Sequence, residues 1–187
     1  QHQLGVPVGI IQVAVGGATT ESFIDRFTME HHPVLVNSLY NWRQSDFFQP
    51  WVRERTATNL KNTSNAKQRH PYEPAYNFEA GIQPLVDFPI QGVIWYQGES
   101  NAHNVELHEI VFPQLVKSWR DQWGYSFPFY YVQLSSLNRP SWPHFRYSQL
   151  QLLKSIPASA MAVSSDVADS LDVHPRKKKE VGERLAR

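Results

Sequence analysis

The chain has 187 residues, of which 41% are hydrophobic and 19% charged, and its net charge is +1. That balance fits one globular domain with its own core, argues against intrinsic disorder, and gives no electrostatic reason for a nucleic-acid or membrane-surface partner. Without any cysteine, disulfides, thiolate nucleophiles and cysteine-based metal sites are excluded. No apolar stretch approaches the roughly 20 residues of a membrane-spanning helix. Gln1-His2-Gln3-Leu4 is neither an initiator Met nor a signal peptide, so the natural N-terminus is expected to have been removed or omitted.

Val6 to Val15 is a β-rich apolar run, and Gly16-Gly17 breaks it. Thr19 or Thr20 can then cap a helix through Glu21, Phe23, Ile24 and Phe27, which together predicts the first half of a βα unit. Leu39 to Arg55 is aromatic-rich with helical potential, whereas Lys61 to Arg69 is polar without periodicity and reads as an exposed loop. Within that loop Asn62-Thr63-Ser64 is a glycosylation sequon. Tyr72 to Val86 is predicted as a short helix with Phe78, Ile82 and Leu85 or Val86 on one face.

Ile90 to Tyr96 follows as a buried strand that stops at Gly98. Val105 to Trp123 carries apolar residues near helical spacing, with Pro113 expected to kink or interrupt the helix and Gly124 to close it. Phe127 to Leu134 reads as a strand, Trp142 to Ile156 as a helix and Ser159 to Val163 as a short strand. Pro175 is expected at the first position of a last helix, with Arg176 to Lys179 as a solvated face and Val181 and Leu185 as i, i+4 neighbours. Strands alternating with helices predict an α/β fold: a three-layer parallel sheet flanked by helices, in one domain over residues 1–187.

Two stretches carry side chains suited to chemistry. In open α/β sheets, loops leaving the carboxyl ends of strands line the site, which aims Gln97-Gly98-Glu99-Ser100-Asn101 at a ligand. The same residues also suit a polar turn closing a core strand. In Asp172-Val173-His174-Pro175 the i, i+2 spacing of an extended segment lets the Asp172 carboxylate lie beside His174 and orient a general base. Its plainer reading is a solvated Asp and a helix-capping His.

Ser100 imitates the G-x-S-x-G nucleophile elbow, but that elbow starts a helix and Asn101 to Asn104 is loop-like. His31-His32 and Glu106-Leu107-His108-Glu109 lack metal-ligand spacing. Gly16-Gly17 is not part of a nucleotide-binding frame, although a glycine turn at a helix start can offer backbone N–H groups to an oxyanion.

Taken together, these segments resemble the sialate O-acetylesterase family, within the SGNH/GDSL hydrolase superfamily. The resemblance rests on Val6-Pro7-Val8-Gly9-Ile10-Ile11 with Gly16-Gly17-Ala18-Thr19-Thr20-Glu21-Ser22-Phe23, on Gly92 to Asn101, on Pro128 to Leu134, and on Asp172 to Lys178. It implies that His174 is the general base and Asp172 its orienting carboxylate. Gly17, or its neighbour Gly16, then donates a backbone N–H to the oxyanion, Gln97 donates a side-chain amide, and Glu99 and Asn101 shape the loop.

The nucleophilic serine of such enzymes lies in a G-Q-S-N block that does not occur in this sequence. The chain is therefore expected to be the C-terminal part of a longer enzyme, incomplete at its N-terminus and inactive alone, with Ser100 a loop residue. The implied reaction is serine acyl transfer from an O-acetylated sialic acid, without a cofactor, in a secreted or periplasmic protein. The partner expected for the strands next to the gap is a companion chain or a second copy. Two other readings are an acetylxylan-type esterase and a non-catalytic carbohydrate-binding module.

Overall fold

The computed structural model describes residues 5–187 apart from Ala66, so the reading of Gln1 to Leu4 lies outside the described residues. β-branched and aromatic side chains form two short strands, β1 (Val93–Trp95) and β2 (Phe129–Val132), and the small residues and Met161 of Ser159–Ala162 add a third, β3. They pair in parallel in the order β1-β2-β3, with Val93 opposite Phe129 and Phe129 opposite Ser159.

Parallel neighbours need a crossover, and helices supply both. Six α-helices occur among the described residues: α1 (Arg26–Glu30), α2 (Val36–Leu39), α3 (Pro50–Leu60), α4 (Val105–Trp123), α5 (Trp142–Leu152) and α6 (Lys178–Leu185). α4 links β1 to β2 and α5 links β2 to β3. The α/β architecture read from the sequence is the one observed.

Side-chain alternation along β2 divides the two faces of the sheet. Phe129 and Tyr131 join Trp95 and the α4 residues Val111, Phe112, Leu115 and Trp119 in the main core. Val132 instead meets Val167 and the α6 residue Val181. α4 begins where the Asn104 side chain accepts from the Leu107 N–H and ends at Gly124, whose φ of 72° is left-handed. Pro113 does not interrupt it. Burial of the helix along the sheet outweighs the one backbone hydrogen bond that a proline removes.

Four other expectations are corrected. Val6 to Val15 forms no strand among the described residues, and Ile10 is 90% exposed. Strand propensity needs a neighbouring backbone to act on, and among the described residues β1 pairs only with β2, leaving Ile94 70% exposed. The helix expected from Thr19 to Phe27 is a 3-10 turn, Thr20–Phe23, followed by α1, because the Asp25 side chain accepts from the Thr28 N–H and caps a new start. Tyr72 to Val86 contains a π-helical turn, Phe78–Ile82, and a 3-10 turn, Gln83–Leu85, in place of one α-helix, while Phe78 and Ile82 are buried as read. The last helix starts at Lys178, not Pro175, since Pro175 is buried in the preceding turn.

Candidate functional site

The site grows from the loop at the carboxyl end of β1. Gly98 has a φ of 145°, and a Cβ there would lie 2.7 Å from Phe145 Cε1, so only glycine brings the loop this close to α5. The Asn101 N–H then returns to the Gly98 carbonyl at 2.9 Å. That turn points the buried Asn101 side chain back under the strand end.

Asn101 ties two distant stretches together. Its Oδ1 accepts from the Thr20 N–H at 3.0 Å, the Thr20 hydroxyl at 3.1 Å and Gln97 Nε2 at 2.9 Å. Its Nδ2 donates to Glu21 Oε2 at 2.9 Å. Gln97 Nε2 also donates to the Ala18 carbonyl at 3.0 Å, and Gln97 Oε1 accepts from Thr20 Oγ1 at 2.8 Å. Ser100 is buried and its hydroxyl donates to the Gly17 carbonyl at 2.9 Å. Tyr72 Oη donates to the Gly16 carbonyl, and Gln49 Nε2 to the Glu99 carbonyl. The Gly16 to Glu21 turn is therefore latched onto the Gln97 to Asn101 loop.

Of the residues read from the sequence, Gly16, Gly17, Gln97, Glu99 and Asn101 come together in this latch. Gly17 holds a φ of 77° against Trp51 and Tyr72. As oriented here, both amide hydrogens of Gln97 are engaged within the latch. Asp172 and His174 lie beside it, since Val173 packs against the cluster of Ala102, Leu134, Trp142 and Phe145. Asp172 Oδ1 accepts the His174 backbone N–H at 2.8 Å but stands 3.8 Å from Nδ1. The His174 ring is 82% exposed.

Glu99 links the two parts electrostatically. Burial pushes its pKa above the ordinary carboxylate value of 4.5, while its own backbone N–H, His174, Lys178 and the Gly98 N–H pull the other way. Lys178 lies over the Tyr96 ring, 4.6 Å from its centroid.

Glu21 and Thr20 are the members that sequence reading missed as site residues. Glu21 is fully buried, and its Oε1 has no hydrogen-bond partner. Burial raises its pKa from 4.5 against the pull of Asn101, its own backbone N–H and the Thr19 hydroxyl. A raised folded value means that the folded chain holds this proton more tightly than the unfolded chain does. The contribution to stability is then complete below 4.5 and is lost as pH climbs through the raised value. Glu21→Gln keeps an acceptor for Asn101 and cannot ionise, so it should gain stability on the wild type as pH rises. Urea denaturation across the pH range reads this gap, and a gap constant from acid to neutral pH would contradict a buried neutral acid.

A family model described as carbohydrate esterase, sialic acid-specific acetylesterase, matches residues 1–187. The chain belongs to that family. It is similar to sialate O-acetylesterase of Mus musculus, 29% identical across 97% of this chain and 38% of the relative. The Rattus norvegicus sialate O-acetylesterase is 30% identical across 97% of this chain and 39% of the relative. The Homo sapiens protein of the same name is 35% identical across 62% of this chain and 26% of the relative. The chain thus spans about two fifths of the length of the rodent relatives. Membership in the sialic acid-specific acetylesterase family accords with a parallel three-stranded sheet flanked by helices. Among the described residues, no helix is long and apolar enough to cross a membrane.

Proposed function

We propose that this chain forms the base-bearing part of a carbohydrate esterase of the SGNH type, one that removes O-acetyl groups from sialic acids through a serine acyl-enzyme. The observation that carries the reading is the packing of Val173, between Asp172 and His174, against the cluster that includes Ala102, next to the Gln97 to Asn101 loop on which the Gly17 turn is latched. A tetrahedral intermediate needs a base on one side and N–H donors on the other, within a few ångströms.

In this reading His174 takes the proton from a serine that another segment provides, and later returns it to the leaving sugar hydroxyl. Asp172 turns from its backbone contact to the imidazole, closing the 3.8 Å gap. The Gly17 N–H, with Gly16 beside it, stabilises the oxyanion, and Gln97 joins once its amide rotates one hydrogen out of the latch. Glu99 and Asn101 hold the loop in register. Ser100 stays outside the chemistry because its hydroxyl is buried against Gly17.

Acetate release from 9-O-acetyl-N-acetylneuraminic acid by the full-length enzyme tests the proposal. His174→Ala should lower kcat by about a hundredfold or more, the span that a general base contributes. Undiminished turnover in that variant would sink the assignment.

A further inference from the structure

The loop after β2 and the first turn of α5 enclose a second cleft, of about 340 Å³, among whose lining residues are Ser136, Asn138, Arg139, Trp142, Arg146 and Ser170. No carboxylate lines it. Arg139 lies over the Trp142 ring, 5.4 Å from its centroid. Arg146 Nη2 donates to Gln133 Oε1 at a long 3.3 Å, while its Nε is buried without an acceptor. Trp142 is fully buried and its indole N–H also has no acceptor. Two guanidinium groups thus line the cleft with no ion pair to a carboxylate of the described residues, and the Arg146 Nε and the indole N–H buried in its wall lack acceptors, a state that destabilises a fold.

We propose that this cleft binds the carboxylate of an acidic sugar, with Arg139 and Arg146 as its specificity-determining residues. A guanidinium is a planar fork that matches a carboxylate in two parallel hydrogen bonds, which a neutral sugar hydroxyl cannot reproduce. Asn138, Ser136 and Ser170 leave room for ring hydroxyls at the margin. The cleft also has the right neighbours: the Asn138 N–H donates to the Ser170 carbonyl at 2.8 Å, and Trp142 and Leu137 share a cluster with Val173. The segment leading to Asp172 and His174 is therefore one of its walls.

In a sialic acid the carboxylate and the glycerol side chain are carried by the two ring carbons that flank the ring oxygen, so their separation is fixed by the ring. Holding the first directs an acetylated second towards a fixed place. The identity of the sugar rests on the esterase reading, but the cleft's demand for an anion does not.

The test is calorimetric titration of the chain with N-acetylneuraminic acid and with its carboxyl methyl ester, on wild type, Arg139→Ala and Arg146→Gln, each checked for folding by circular dichroism. Arg139 lies at the surface, so its variant keeps the test open if Arg146→Gln fails to fold. The acid should bind about tenfold or more tightly than the ester, and either variant should erase that preference without weakening the ester. Equal binding of acid and ester, absence of binding by the acid, or a preference that survives Arg139→Ala would each overturn the proposal. Binding without acetate release by the full-length enzyme would uphold the cleft and defeat the esterase reading; acetate release without the preference would do the reverse.

Discussion

Asn101→Ala should lower the unfolding free energy by about 3 kcal/mol or more. The side chain satisfies the Thr20 N–H, the Thr20 hydroxyl, Gln97 Nε2 and Glu21 Oε2 at once. Alanine leaves the buried Thr20 N–H and Glu21 Oε2 without that partner, while the Thr20 hydroxyl and Gln97 Nε2 keep only Gln97 Oε1 and the Ala18 carbonyl. A typical surface substitution costs at most about 0.5 kcal/mol, so the expected effect stands well clear of background. Asn101→Asp sharpens the interpretation. It keeps the acceptor oxygen and the shape, but sets a second carboxyl group against Glu21 where an N–H donor stood. Urea midpoints at constant m-value measure both variants. A loss below about 1 kcal/mol for Asn101→Ala would mean that the latch does not hold the two stretches together.

Gly17→Ala should cost about 2 to 3 kcal/mol. A left-handed backbone charges any residue with a Cβ roughly 1 to 2 kcal/mol, and here the added methyl also meets Trp51 at 2.8 Å and the Tyr72 ring carbon Cζ at 3.0 Å. Gly124 provides the control within the same chain. Its φ of 72° is close to the 77° of Gly17, but a Cβ there meets nothing within 4 Å. Gly124→Ala should therefore show the backbone cost alone, and the difference between the two variants isolates the contact with Trp51 and Tyr72. Equal losses in denaturant titrations would show that those rings move aside freely.

What was legible in the sequence followed from local signals. α4 was read to its observed ends, because the apolar spacing from Leu107 to Trp123 and the closing Gly124 lie within or beside the helix. Pro113 misled only because packing against the sheet is not visible in a local pattern. Val6 to Val15 failed for the complementary reason: its composition favours a strand, yet a strand exists only when a neighbour accepts its hydrogen bonds. The Gln97 to Asn101 loop was located by its place after β1. Its fastening to Thr20 and Glu21 carried no local signal, since Thr20 and Glu21 are ordinary residues of a helix start. Arg139 and Arg146 were equally silent, because neither spacing nor composition shows that two cations have no counter-ion among the described residues.

The span of the latch also sets its place in time. The sheet assembles from successive strand-helix-strand units, each closed by neighbouring parts of the chain. The bonds between the Gly17 to Thr20 turn and the Gln97 to Asn101 loop instead join residues 77 to 83 positions apart. Closing so long a loop costs chain entropy that only a surface already in place repays. The sheet and α4 therefore form the platform, and the glycine turn docks on it late.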